Sequence, residues 1–518
     1  MIDLLLVLTY FTVIFLIAIK GRTKGEVTAE GYFLSHRNLR WYSIALSTIA
    51  TNVQGYQFLG MMGSAYLYGI AQANLEINAV QGMLIAALVF VPMYLKDRVI
   101  TITQFIEKRL GKQLALAYSL ANLALFSTIT LGAALFWGAY AAELVFTDYL
   151  QVLHPDPLTR TAMLIVGLGV FSAIYTYLGG LGAVVRTDLV QFGILLVGAI
   201  VVLLVAVHHL GGWSQLYVRT PEHMHLHLEA THDKLPWTML FGLFFLNINY
   251  WCANQSVMQR SLAARSLREA QLGLMTGGLI KYAMAVLIVI PGVALYGILQ
   301  DNPLADPDLA FPYLVTTYLP TGVKGIILCA LFASLMSTVD STFNSLATLW
   351  SVDIYKRYLR PDASDAAMVK AGRQSILVTL ATGISMGLVL LSLKYNHPEA
   401  AFTHQLNELR YYINCGIVVV ICSAALLLAP RTALTLLAFL LTIPLNIWLK
   451  TNFPEMNYFV RAGWVIAAAL LLSLLGGMRR DRPWLRPFRV WAPRPEPLIW
   501  QWAWGLVLSL LLLHVIFH

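Results

Sequence analysis

Residues 334–345 read SLMSTVDSTFNS. They put six hydroxyls (Ser334, Ser337, Thr338, Ser341, Thr342, Ser345) and one carboxylate, Asp340, into twelve residues. The flanks are apolar, GIILCALFA before and LATLW after, and apart from Asp340 nothing from Gly325 to Ser351 is charged. The stretch is long enough to cross a bilayer as a helix. Ser334, Ser337, Thr338, Ser341 and Ser345 fall at i, i+3, i+4, i+7 and i+11, which is one stripe of a helix, with Asp340 at its edge. Hydroxyl and carboxylate oxygens are ligands for hard cations such as Na⁺. Hydrogen bonding between neighbouring helices accounts for some hydroxyls in a membrane bundle. A full stripe with an acid points to a site, because ionisable groups in a span are costly.

Two further stretches carry chemistry. One apolar run, residues 43–69, is interrupted by TNVQGYQ. A helix unwound there exposes carbonyls to a cation and side chains to a solute, the mark of a transporter site. Another run, LFGLFFLNINYWCANQSVMQR, sets amides beside aromatics. That combination suits a sugar: amides bond its hydroxyls and a ring packs on its apolar face. The ionisable residues within apolar runs are Glu76, Asp188, Lys281, Asp340, Glu408 and Arg410. A helix bundle can gather them at one depth. Lys281 has a plainer reading, snorkelling to a membrane surface.

The elements that must position these residues are membrane helices. The chain has 518 residues, 58% of them hydrophobic and 12% charged. A soluble domain carries about twice that charge fraction. Apolar periodicity predicts fourteen helices, at 2–19, 43–69, 74–95, 115–146, 161–179, 185–208, 237–258, 271–298, 324–352, 374–394, 402–429, 433–449, 459–477 and 498–516. With the N-terminus outside, the inner loops hold 26 of the 35 Lys and Arg residues. That is the positive-inside pattern, and it places both termini outside a multi-pass protein of the plasma (inner) membrane. The basic excess is thereby explained by the bilayer, with no nucleic-acid partner. Cys252, Cys329, Cys415 and Cys422 all fall in apolar segments and show neither disulfide nor zinc spacing. The outer loop HMHLHLEATHD reads as solvated, since neither acid nor Cys completes a ligand set around His223, His225 and His227.

Four long motifs in order, GYFLSHRNLRWYSIALSTIATNVQGYQFLGMMGSAY, YTYLGGLGAVVRTDLVQ, YWCANQSVMQRSLAARSLREAQLGL and LCALFASLMSTVDSTFNSLATLWSVDIYKRY, resemble the sodium/solute symporter family. The likeness is to its sodium–sugar (glucose/galactose) cotransporter branch, over residues 25–430. It implies an all-α integral membrane protein with the LeuT-type fold of two inverted five-helix repeats. The repeats are expected at 43–208 and 237–429, separated by an outer loop, 209–236. Residues 1–42 add an N-terminal helix and inner loop, and 430–518 add three flanking helices.

The resemblance also implies residue roles. A shared sodium site takes backbone carbonyls of Ala50 and Val53, the backbone of Ser334, and the hydroxyls of Ser337 and Thr338. A second sodium site matches Asp188, Asp340 and Ser341, with Asp340 standing where a hydroxyl or small residue is usual. Asn52, Gln57, Glu76, Asn247, Trp251, Lys281 and Glu408 fall at sugar-binding positions, although Glu408 stands where sugar carriers have Gln. Tyr250 matches the aromatic that covers the sugar and closes the inner side, and Met61 lies at the outer gate. The implied function is Na⁺-coupled import of a small neutral sugar, a hexose or polyol, by alternating access. Na⁺ is the coupling ion, with no organic cofactor. The alternative is an acidic sugar such as a sialic acid, held by Arg410 or Lys281; an unpaired Glu76 would repel it. An enzyme would need paired carboxylates or a nucleophile–base pair, and a sensor a signalling domain; the sequence shows none of these.

Overall fold

The structure, a computed structural model, describes residues 2–20, 28–396, 402–478, 485–486 and 496–518, apart from the side chains of 402–405 and 407. Most of the basic loop 478–497 and residues 21–27 of the expected first inner loop lie outside the described residues.

Eleven helical runs among the described residues are long and apolar enough to cross a membrane. Two of them, Gln57–Lys96 and Pro157–Leu210, each hold two passages, and the shorter Met239–Ala253 opens a further one. The result is fourteen passages among the described residues, in the order read from the sequence. We number them α1 (Ile2–Lys20), α2 (Trp41–Asn52, resuming over 55–68), α3 (74–96), α4 (Lys112–Leu150), α5 (157–179), α6 (181–210), α7 (Met239–Ala253, resuming at Gln255–Leu262), α8 (Leu267–Ile298), α9 (Val323–Leu359), α10 (Asp365–Asn396), α11 (Phe402–Leu426), α12 (Thr432–Asn452), α13 (Tyr458–Gly477) and α14 (Pro497–Ile516).

α9 is the axis of the bundle. It is buried without interruption from residue 327 to 349 and is packed by α1, α2, α4, α5, α6 and α10. The hydroxyl stripe therefore faces protein on every side, the one setting in which polar groups are tolerated at membrane depth. α1 is fixed to the start of α9 by Asp3, whose carboxylate accepts from Gly322 N (2.8 Å), Gly325 N (2.7 Å) and the Tyr149 hydroxyl (2.9 Å). An anion there also meets the positive end of the helix dipole. The outer faces of α1 and α14 expose Leu4, Leu5, Leu8, Trp504, Leu508 and Leu511, as lipid-facing helices do.

α5 and α6 join at Gly180, whose φ of 57° lies in the left-handed region. A β-carbon there would stand 2.4 Å from the Tyr32 carbonyl oxygen. Glycine is required on both counts, conformational and steric. Gly180→Ala is expected to cost at least about 1–2 kcal/mol, seen as a lower melting temperature of the purified protein. Gly193→Ala in α6, where nothing lies within 4 Å of the added carbon, should leave that temperature unchanged or raise it.

Candidate functional site

α2 stops at Asn52, and Val53 turns to extended backbone at φ −77°, ψ 113°. Gln57 holds this break open. Its Oε1 accepts from Gln54 N at 2.6 Å, so that N–H does not reach back to Ala50. Gln57 N itself bonds to Gln54 O (2.9 Å) rather than to Val53. The carbonyls of residues 50–53 are thus released in the interior, where each needs a partner. α9 supplies two: Ser334 Oγ donates to Val53 O (2.9 Å), and Thr338 Oγ1 to Thr51 O (3.0 Å). Carbonyl and hydroxyl oxygens converge here from two helices, a donor set for a hard cation. Ser337 points elsewhere, donating to Asp188 Oδ1 at 2.6 Å.

Asp188 of α6 is wholly enclosed. Its Oδ2 accepts from Ser47 Oγ (2.5 Å) and from Arg260 Nη2 (3.2 Å). Arg260 also donates to Ser47 Oγ (3.0 Å) and to Ser341 Oγ, and Ser341 is bonded to Thr51 Oγ1 (2.8 Å). All the charged atoms of this network are buried. Two expectations are corrected. Arg260, read as part of an inner loop, lies in the second half of α7 and stands between Asp188 and Ser341 as their cation. Asp340 does not join them: the Tyr175 hydroxyl of α5 donates to its Oδ2.

Beside the break lies a cavity of about 790 Å³. Of the residues expected to meet a solute, Asn52, Glu76, Asn247, Tyr250, Trp251 and Lys281 line it, as does Met61; Gln57 does not, standing behind Glu76 with both ends of its amide bonded. Thr51, Thr338 and Thr342 form the wall shared with the α2–α9 contacts, and at the other end Lys234, Asp306 and Asp308 mark its opening. Lys281 does not snorkel. It is buried, ion-paired with Glu76, donates to Asn52 Oδ1 (2.6 Å), and sits 5.9 Å from the centre of the Trp251 ring. Gln57 Nε2 donates to the other oxygen of Glu76 at 2.8 Å. Glu76 is therefore a paired carboxylate, and the pair offers donors and acceptors without net charge.

Glu408 is a third correction. It is not part of the cavity wall; it pairs with Arg461 of α13 and with Lys450 of α12 (3.0 Å). Arg410, Tyr411 and Asn414 of the same helix line the cavity instead. Residues 408 and 410 are 200° apart on a helix, so only one can face inward.

α7 is also broken, at Asn254 (φ −82°, ψ 115°), which sequence reading missed. Asn254 followed by Gln-Ser is an N-cap signal in a span: its side chain accepts from Ser256 N at 2.9 Å. The freed carbonyls of Cys252 and Ala253 are met by the hydroxyls of Tyr94 (2.8 Å) and Tyr118 (2.5 Å). The His-rich loop is less solvated than expected. His223 is buried and stacked on Tyr296 with centroids 3.8 Å apart, and His227 Nε2 lies 3.0 Å from His514 Nδ1. Burial keeps the His223 imidazole below its ordinary pKa. Among the described residues no group of three His, Cys, Asp or Glu side chains is arranged to hold a metal.

Two broken helices at a cavity enclosed by membrane helices define a secondary transporter. Residues 32–394 match the sodium:solute symporter family, and the chain belongs to that family. It is 34% identical over 388 residues to the sodium/glucose cotransporter of Vibrio parahaemolyticus, covering 70% of this chain and 69% of that one. It is 29% identical over 408 residues to sodium/myo-inositol cotransporter 2 of Mus musculus, covering 72% and 59%. The solved outward-open, substrate-bound structure of a Na⁺-coupled sialic acid symporter shares the fold, with a TM-score of 0.77 at 19% identity over 94% of this chain and 99% of that one. The LeuT-type architecture is thereby established, as is Na⁺ as the coupling ion. The family and these relatives are transporters, not enzymes.

Removing one partner of a buried ion pair leaves an uncompensated charge. Arg260→Gln is expected to lose about 3–5 kcal/mol, read as falling yield and melting temperature. Adding Asp188→Asn should recover most of that loss. A double variant no more stable than Arg260→Gln would contradict the pairing.

Proposed function

We propose that the protein imports a small neutral polyhydroxy solute, a hexose or a polyol, driven by Na⁺. The carrying observation is the Glu76–Lys281 pair in the cavity wall, extended by Gln57 and Asn52. Charge is balanced within the pair, while acceptors and donors alternate around it, which suits hydroxyls that are both. Tyr250 and Trp251, with ring centroids 5.0 Å apart, supply the apolar face. The names of the glucose and myo-inositol relatives agree with this class. Arg410 in the cavity wall favours a second reading, an acidic sugar.

Na⁺ at the shared site would be held by the carbonyls of Ala50 and Val53 with Ser334 and Thr338. Its charge would replace the Ser334 hydroxyl proton as the partner of the Val53 carbonyl and so fasten α2 to α9. Ser337 supports this reading through Asp188 rather than by direct ligation. The cavity opens at the end that carries 209–236, the outer loop under the positive-inside assignment, so the conformation is outward-facing with both termini outside the cell membrane. We divide the core at 43–208 and 237–429, the two halves that each begin with a broken helix.

In proteoliposomes an inward Na⁺ gradient should drive accumulation of glucose-class hexoses or inositol-class polyols, and not of sialic acid. Thr338→Ala should raise the Na⁺ concentration for half-maximal uptake by roughly tenfold or more, the scale of one lost ligand. Uptake that ignores Na⁺ would contradict the reading, and uptake of sialic acid alone would select the second one.

A further inference from the structure

Asn78 stands just behind the cavity wall. α3 is interrupted there for one residue, between Asn74–Ile77 and Ala79–Ile85. The Asn78 carbonyl accepts from Gln81 N (3.1 Å) and from Asn247 Nδ2 (2.9 Å). A carbonyl only accepts, so this bond holds the amino end of the Asn247 amide and sets the orientation of a residue that lines the cavity. Glu76 lies in the short segment that ends at the same break.

Three segments meet on Asn78: α3 itself, loop 209–236 and the end of α14. Asn78 Nδ2 donates to Asn74 O at 3.1 Å, which leaves Asn78 Oδ1 as an acceptor. His514 Nε2 of α14 lies 3.2 Å from that oxygen, so it carries the ring proton and Nδ1 is the bare nitrogen. His227 Nε2 then donates to His514 Nδ1 at 3.0 Å. Further bonds tighten the junction. Asn74 Nδ2 donates to Leu226 O (2.6 Å), Leu226 N donates to Phe517 O (2.6 Å), and His225 Nδ1 bonds to His518 O (2.8 Å). Residues 225–227 are thereby threaded between α3 and α14.

This chain of donors has one direction and no place for a further proton. Whichever ring is protonated, the surplus N–H falls on His227 Nδ1, which is buried and has no hydrogen-bond partner among the described residues. The titratable groups facing the pair are His518, whose ring centre is 5.0 Å from that of His227, and His225 on the same loop. α3 presents only the amides of Asn74 and Asn78, and α8, which also packs on α14, presents Tyr282, already bonded to Leu506 O. Burial, with His518 beside it, keeps the His227 imidazole below its ordinary pKa. The joined rings therefore take up a proton less readily than a free ring, and their union is lost as pH falls below the ordinary histidine value of about 6.5.

We propose that Asn78, braced by His514 and His227, is a positioning residue of the solute site, and that acid on the side of loop 209–236 releases it. Parting the two rings frees α3 from α14 and the loop, and Asn247 loses its fixed orientation. The inference rests on the reading of the cavity as the solute site. The test is Na⁺-driven uptake of radioactive glucose, with myo-inositol and sialic acid in parallel, by proteoliposomes with a neutral interior and varied external pH. In the wild type the half-saturating solute concentration should rise roughly tenfold between about pH 7.5 and about pH 5.5, at an unchanged maximal rate. His514→Gln keeps an N–H for Asn78 and does not titrate, so it should match the wild type at about pH 7.5 and flatten the profile. His514→Leu lacks the donor and should sit roughly tenfold higher at every pH, with the maximal rate again unchanged. Should His514→Leu not fold, His514→Gln carries the test alone. A flat wild-type profile, or a slope that His514→Gln retains, overturns the proposal. Uptake of sialic acid alone overturns the neutral-solute reading, and its own pH profile then decides the brace by the same criteria. No uptake of any of the three overturns both.

Discussion

Interrupting a helix inside a membrane protein releases carbonyls that water cannot reach, and the centre of this molecule is organised around that constraint. Gln57 creates the interruption by capturing Gln54 N–H, and α9 answers it with Ser334 and Thr338. The same Gln57 side chain holds Glu76, which holds Lys281, which holds Asn52 at the end of the interrupted helix. Cation-type oxygens and solute-facing groups thus form one connected loop closed through a single amide. Filling either end changes the partners available at the other, which is a physical route for coupling.

The buried charges follow one rule. Asp188 and Arg260 meet between α6 and α7, Glu76 and Lys281 between α3 and α8, and Glu143 and Arg160 between α4 and α5. Such pairs add little net stability compared with apolar packing, since desolvation opposes their attraction. What they do is fix which helices meet and at what register. Asp340 lacks such a partner among the described residues, and it lies on α9, which α1, α2, α4, α5, α6 and α10 pack against.

Much of this was legible in the sequence for a plain reason: apolar runs, loop charges and hydroxyl spacing are one-dimensional signals. Most passages fall within about four residues of the expected ones, though α9 runs on to Leu359 and α10 begins already at Asp365; the break at Val53 follows from polar residues and glycine inside an apolar run. What the sequence hid was partnership. Nothing in a string of residues shows that Arg260 is inside the bundle, because the apolar run ends at 258 while the helix that resumes after Asn254 carries on to Leu262. Glu408 and Arg410 are two positions apart, and only helix phase decides which faces the cavity. Asp340 sat in the right stripe, but 100° around the helix from Ser341, and that angle sends it to Tyr175 instead of Asp188.

The central claim is that ion and solute are linked through the opening of α2 that Gln57 maintains. The direct measurement is calorimetric titration of solute with and without Na⁺, and of Na⁺ with and without solute. Linkage requires both affinities to rise by the same factor, expected between about 5 and 150. Gln57→Ala should bring both factors toward one while Na⁺ still binds. A solute affinity that is the same with and without Na⁺ would contradict the claim.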